Sequence, residues 1–425
     1  MAIRALSILV PAQTLKLVFS LVLQILIARL LLPEGRGIYA ICISTSAVLL
    51  VATYLGNEFG IRYLLVSSRI TTPQALRYLL LTVAFSLSIS LVLIWTATFF
   101  DFWLTERVTR AQLALACILA FSQLVTTQIN VFMTIKERYR EAAVLGIVEE
   151  VIKLILMAVL LFTFPSVEVA LLSVIIGNII IALYSIVRFR FYVRDFEAID
   201  IEKITFIYSY GLRSLWLNLS NLSSGHMGTL ILSGLVSNER VGFFNLAYGL
   251  IARVQVLPDT LNRILVPTSA ANNDHGARLR MVRISVTGLL VFSILVALVL
   301  GFLNGPIIYL LFGSEYIEAG PIAFILFVGF SFKVISKPLE AYFNEIVGNP
   351  RIIAITQVFS ITMMALLTYV GAVQFGLVGA AIGSSAATFL GSIALSVAYA
   401  RSTRQHYSAL IDFRSLIERL GQLKR

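Results

Sequence analysis

Lys333 and Lys337 stand four residues apart in the apolar stretch FVGFSFKVISKPLEAYFNEIVG, which runs from Phe327 to Gly348. On a helix that spacing puts both ammonium groups on one face. At about 6 Å their repulsion is roughly 3 kcal/mol at an effective dielectric of 20, and something must offset it. Four more basic residues lie inside apolar stretches: Lys16, Lys153, Arg213 and Arg253. A charge at the centre of a bilayer costs about 2.5–3.5 kcal/mol on insertion scales, and such groups face a bundle interior or a watery cavity. Two chemistries fit. In the first, the bases pair internally: Glu340 follows Lys337 by three residues, Glu149 and Glu150 lie within a turn of Lys153, and Asp259 shares a helix with Arg253. In the second, the positive excess binds an anion, because these four acids face six bases. The same acids, Glu149, Glu150, Asp259 and Glu340, are the candidates for an ion-coupling site.

Helical spacing extends these groups into polar stripes. Gln13, Lys16, Ser20 and Gln24 share one face, as do Lys333, Lys337, Glu340 and Asn344. Gln123, Thr127 and Asn130 form a weaker stripe. Arg213, Asn218 and Asn221 lie on one apolar stretch, and Asn245, Arg253, Gln255, Asp259 and Asn262 on the next. Each Asn or Gln alone reads as an interhelical hydrogen bond; together they suit a lined central cavity. The histidines, His226, His275 and His406, are scattered, and Cys42 and Cys117 sit in apolar runs, so no metal-ligand spacing exists and no cofactor is expected.

The elements that must carry these groups are membrane spans. The chain has 425 residues, 59% hydrophobic and 13% charged, where a soluble chain is about a quarter charged. Apolar runs place twelve spans near residues 7–31, 38–60, 78–100, 111–133, 144–164, 169–190, 209–235, 243–265, 284–304, 319–343, 351–373 and 378–400. The first run is long enough to span, so it reads as a transmembrane helix and not as a cleaved signal peptide. With the N-terminus in the cytoplasm, twenty-two Lys and Arg fall on the inner side and five (Arg29, Arg36, Arg107, Arg110 and Arg240) on the outer. Both termini are therefore expected in the cytoplasm. The net charge of +11 is then mostly topological, and nucleic acid is set aside as a partner. The tail, residues 401–425, spaces Leu410, Phe413, Ile417 and Leu420 as a cytoplasmic amphipathic helix.

PEGRGIY from Pro33 and NERVGFF from Asn238 align at a shift of 205 residues, which matches Glu34 with Glu239, Gly37 with Gly242 and Tyr39 with Phe244. Six spans per half enter the membrane in the same sense, as in parallel-repeat transporters. The expected fold class is an all-α integral membrane protein of 12 transmembrane helices in two six-helix lobes around a central cavity. The N-terminal lobe would be residues 1–198 and the C-terminal lobe 199–425, hinged at VRDFEAIDIEK from Val193.

YLLFGSEYIEAGPIAFIL from Tyr309, GNPR from Gly348, FGLVGAAIGSSAATF from Phe375 and LLLPEGRGIYA from Leu30 resemble the polysaccharide flippases. These belong to the multidrug/oligosaccharidyl-lipid/polysaccharide exporter superfamily, whose fold is MATE-like. The related lipid II flippases typically have fourteen spans, which favours the O-antigen or capsule type. The resemblance implies a transporter, not an enzyme, in the cell (inner, cytoplasmic) membrane. It would move an anionic polyprenyl-pyrophosphate-linked oligosaccharide to the outer leaflet by alternating access. Its partners would be that lipid-linked glycan, membrane lipids and polysaccharide polymerase machinery. The substrate-binding candidates are Lys16, Lys153, Arg213, Arg253, Lys333, Lys337, Gln13, Gln24, Asn218 and Asn221. The alternative is a multidrug exporter of the same fold, against which the basic excess argues. A membrane glycan ligase or polymerase would need large outer loops, and here these are short and hold no histidine.

Overall fold

The computed structural model describes residues 2–54, 56–67, 69–99, 106–135, 138–193, 200–223, 225–255, 275–343, 347, 349–403 and 412. The described residues are helical apart from short connections. Residues Met1–Leu222 with Val236–Gly242 form one compact unit, and Ser223–Leu235 with Phe243–Arg425 form another.

The first unit begins with α1 (Ala2–Tyr54), which is two helices joined at Leu32. Leu32 takes φ 58° and ψ 175°; the ring of Pro33 disfavours the helical region for the residue before it, which accounts for the extended ψ, while the positive φ is unusual for a leucine. Pro33 then starts the second arm, where its missing N–H has no cost. Gly56, at φ 65°, separates α1 from α2 (Asn57–Val66). There follow α3 (Thr72–Phe99), α4 (Arg110–Ile135), α5 (Tyr139–Thr163), α6 (Val167–Val193) and α7 (Ile201–Ser223). α1 packs on α4 and α5, and α4 and α5 pack on α6. Ile61, Leu64, Leu79, Phe132 and Ile207 form a buried cluster that ties α2, α3, α4 and α7 together.

That cluster holds α7 within the first unit: its backbone lies on α2, where a methyl group at Gly60 would sit 2.7 Å from the carbonyl oxygen of Ile207. The expected span 209–235 is broken, with α8 (His226–Ser233) following Gly225.

The two copies of the short repeat meet at the start of α9 (Asn238–Val254). A methyl group at Gly37 would lie 1.7 Å from the carbonyl oxygen of Asn238, and one at Gly242 would lie 2.3 Å from that of Pro33. Asn238 follows Pro33 by the same 205 residues that separate Gly242 from Gly37. The contact is therefore reciprocal, as an isologous two-fold contact is, and glycine at both positions lets the backbones touch.

The second unit contains α8, most of α9, α10 (His275–Phe312), α11 (Ala319–Ala341) and α12 (Pro350–Thr403). α12 is two helices joined at Phe375 and Gly376, the latter at φ 60°. α11 packs on α10 and α12. Tyr342 meets Tyr399 edge-on at 4.8 Å between ring centroids, and Phe343 packs beside them.

Seven stretches among the described residues are long and apolar enough to cross a membrane, including Pro11–Tyr54, Leu279–Phe312 and Arg351–Thr403. Phe302 is 81% exposed, Leu310 72% and Phe162 70%. Apolar surface on this scale is at rest in lipid and not in water. The expected tail helix lies outside the described residues, save that the Asp412 N–H donates to Thr287 Oγ1 at 2.8 Å.

Candidate functional site: basic groups inside the helices

In the first unit the basic groups converge on α5. Gly146, Glu149 and Lys153 follow at steps of three and four, so they share one face. Lys153 Nζ lies 2.5 Å from Glu149 Oε1, and each side chain is only 11% exposed. The stem of Lys153 crosses Gly177 of α6, where a methyl group would come within 2.7 Å of its Cγ. Lys16 reaches the same face from α1: a methyl group at Gly146 would stand 2.9 Å from its Nζ. Among the described residues no carboxylate lies within ion-pair distance of that ammonium. Lys16, Glu149 and Lys153 sum to one positive charge, with the Glu149–Lys153 pair largely buried and Glu150 the next residue of α5.

Gln13 and Gln24 are half-buried on α1. The backbone carbonyl of Gln24 accepts a 3.2 Å hydrogen bond from Nη1 of Arg36. Arg36, expected on the outer side, lies on the second arm of α1 and is 2% exposed. The turn at Leu32 folds it back onto the first arm. On α4, Thr127 and Asn130 bond to carbonyls of their own helix. Asn178 of α6 donates to Ser122 Oγ of α4 at 3.0 Å, an ordinary interhelical bond.

In the second unit the two lysines of α11 have different company. Lys337 Nζ is 3.3 Å from Glu340 Oε2, and Glu340 Oε1 accepts from Gln357 Nε2 of α12 at 3.0 Å. Lys333 lines a small pocket with Tyr248 of α9, Phe330, and Ser384, Ser385 and Thr388 of α12. Arg253 turns back on α9 and donates from Nη1 to the carbonyl of Gly249 at 2.5 Å. The side chains of Arg213, Asn218 and Asn221, and the whole of Asp259, lie outside the described residues.

The structure thus brings Lys16 to Gly146, on the face of α5 that carries Glu149 and Lys153, and sets Lys333 in a small pocket of mixed apolar and hydroxyl lining. Sequence reasoning missed Gly146, Gly177 and Gln357. Gly146 had a legible signal in its place on the Glu149–Lys153 face. Gly177 and Gln357 had none, since only packing brings their helices alongside.

The profile of a family described as polysaccharide biosynthesis protein matches residues 26–321. The chain belongs to this family. It is 28% identical over 253 residues to a putative O-antigen transporter of Shigella flexneri, covering 57% of this chain and 58% of that one. It is 27% identical over 261 residues to the probable flippase AglR of Haloferax volcanii, covering 59% and 52%. The chain thus spans little more than half the length of these two relatives. Its fold is like that of the lipid II flippase MurJ in an inward closed conformation, with a TM-score of 0.76, 14% identity and coverage of 98% and 91%. It is also like that of an inward-facing multidrug resistance MATE transporter of the MOP superfamily, with a TM-score of 0.70, 16% identity and coverage of 94% and 95%. With its apolar helices, this family member is a multi-pass membrane protein.

Proposed function

We propose that the chain is a flippase that carries an anionic lipid-linked oligosaccharide, with a polyprenyl pyrophosphate anchor, from the cytoplasmic to the outer leaflet of the inner membrane. The observation that carries this reading is the net positive cluster of Lys16, Glu149 and Lys153, held half-buried between helices of the first unit. A charge held at that depth costs about 2.5–3.5 kcal/mol without a counter-charge, and a pyrophosphate provides one. Lys333, with hydroxyls around it, is the corresponding group of the second unit. Lys337, Arg213, Arg253, Gln13, Gln24, Asn218 and Asn221 complete the binding set, and Glu149, Glu150, Asp259 and Glu340 are the acids open to ion coupling. The full architecture is twelve spans in two six-helix lobes with both termini cytoplasmic, and alternating access exposes the site to each side in turn. The family profile and the flippase and O-antigen transporter relatives support a role in polysaccharide biosynthesis.

The test is reconstitution in proteoliposomes with a fluorescent polyprenyl-pyrophosphate-linked oligosaccharide. Movement between leaflets, lost in Lys16→Met with Lys333→Met, is the expected result. Export of cationic dyes without movement of the lipid-linked sugar overturns it in favour of a drug exporter.

A further inference from the structure

A second binding feature lies apart from the basic groups, between α3 and α7. It is a groove of about 210 Å³ lined by Leu81, Thr82 and Phe85 of α3 and Ile204, Ile207 and Tyr208 of α7. This exceeds the ~150 Å³ of a cavity that holds one benzene ring, so a short run of hydrocarbon fits. Its lining is apolar apart from three hydroxyl groups, and those of Thr82 and Tyr78 are engaged. Thr82 Oγ1 donates to the carbonyl of Tyr78 and accepts from Asn57 Nδ2, and Tyr78 Oη, at the end of the groove, accepts from the N–H of Asp200. A wall so lined selects an apolar occupant. The groove is preformed, since Tyr78 and Ile207 belong to the buried cluster that joins these helices.

The surroundings indicate what kind of hydrocarbon. Ile204–Tyr208 occupy the first two turns of α7, about 5–10 Å from its start at 1.5 Å per residue, at the end that the Lys/Arg distribution assigns to the cytoplasm. Near the starts of α3 and α7 the chain carries Arg69, Arg77 and Lys203 against Asp200 and Glu202, with Lys203 Nζ 3.7 Å from Asp200 Oδ2. On another face of α7, Tyr63 stacks on Tyr210 at 5.3 Å and lies tilted to Phe206 at 5.7 Å, with the Arg69 guanidinium 5.9 Å over the Tyr63 ring. An apolar slot near basic residues complements an amphiphile with an anionic head and a bulky chain.

We propose that the α3–α7 groove holds the isoprenoid chain of the lipid-linked substrate in the cytoplasmic leaflet. This rests on the flippase reading above. The groove captures the first isoprene units, and the basic residues near it attract the phosphate before it passes to the buried lysines.

The probe is polyprenyl monophosphate with a diazirine in the chain, photolysed with the full-length protein in nanodiscs and mapped by peptide mass spectrometry. Labelling should fall on the α3 and α7 peptides, yield to unlabelled polyprenyl phosphate and resist the same amount of phosphatidylglycerol. Leu81→Trp and Ile204→Trp fill the groove and should lower labelling at least tenfold. Val159→Trp, at a 60% exposed position of α5, should leave it unchanged. Equal competition by phosphatidylglycerol, labelling elsewhere, or indifference to both groove substitutions overturns the proposal. If the groove is labelled as expected and no lipid-linked sugar moves in proteoliposomes, the groove stands and the flippase reading falls. If transport survives the groove substitutions, the reverse holds.

Discussion

Removing Glu149 and removing Lys153 should harm stability alike and ligand binding oppositely. At 2.5 Å the gross attraction of the pair is about 7 kcal/mol at an effective dielectric of 20. Desolvation of both ions offsets much of this, and removing one partner of a buried pair costs about 3–5 kcal/mol because the other charge is left behind. Glu149→Gln and Lys153→Met should each therefore destabilise by about 3 kcal/mol, while the double variant should cost much less than the sum of the singles. For a chain of this size that is a fall of several degrees in the thermal midpoint for each single variant. Binding follows the local charge instead. Lys16, Glu149 and Lys153 sum to plus one; Glu149→Gln raises this to plus two, and Lys153→Met lowers it to zero. Binding of radiolabelled polyprenyl pyrophosphate to the detergent-purified protein should be kept or strengthened in the first and weakened tenfold or more in the second. Lys16→Met is the cleanest variant, since it breaks no ion pair among the described residues. It should change stability by under about 1 kcal/mol and weaken binding as much as Lys153→Met does. If Lys16→Met binds like the parent, or if Glu149→Gln and Lys153→Met lose binding in step with stability, the cluster is structural and the anion argument is refuted.

Gly37→Val and Gly242→Val should each destabilise by about 1–3 kcal/mol through overpacking against a carbonyl, and the double variant should be markedly non-additive because both act on one reciprocal contact; thermal unfolding in detergent measures both. Gly146→Ala meets only the flexible end of Lys16, so it should leave the thermal midpoint within a few degrees while weakening pyrophosphate binding. Gln357→Leu strips a hydrogen bond from the Glu340 carboxylate and should cost about 1.5–3 kcal/mol in the same unfolding assay. If transport moves about two negative charges outward, a potential of 100 mV, inside negative, should favour it by about 4.6 kcal/mol. A potassium-diffusion potential in vesicles without sodium or proton gradients tests this, and indifference to its sign would point to the acids as an ion-coupling site.

The helices were legible because each is a long apolar run, and a run needs no partner to be recognised. α3, α4, α5 and α6 lie where hydropathy places them, and the turns at Leu32 and Phe375–Gly376 fall in the gaps between expected spans. The acid–base pairs were legible as well, since i, i+3 and i, i+4 spacing is a property of one helix: Lys153–Glu149 and Lys337–Glu340 both form. What depended on two helices was hidden. Arg36 reads as a loop cation until Leu32 turns the chain and buries it. The packing of Ile207 against Gly60, which holds α7 on α2, depends on both helices. Lys337 has its acid on its own helix, but the arrival of Gln357 at that acid and of Ser384 beside Lys333 depends on α12. Gly37 and Gly242 are the exception among the long-range contacts: the repeat marked both, because contact between two like segments leaves its constraint on each.

The pairing pattern also explains how these charges enter a membrane at all. Glu149 with Lys153, and Lys337 with Glu340, are partners on the same helix, so each pair closes as soon as its helix forms and needs no second helix to be in place. These four groups are thereby spared entry as isolated charges, for which the cost is about 2.5–3.5 kcal/mol each. An intrahelical pair is also unaffected by sliding or tilting of neighbouring helices, whereas a bridge between helices must break whenever they separate. A protein whose halves move against one another would keep its charges neutralised within helices and leave only the surplus open to a ligand. Lys16 fits the surplus: it comes from another helix, rests on a glycine, and has no acid at ion-pair distance among the described residues. The acids therefore ease insertion, and on the flippase proposal the odd lysine would set the sign of what is bound.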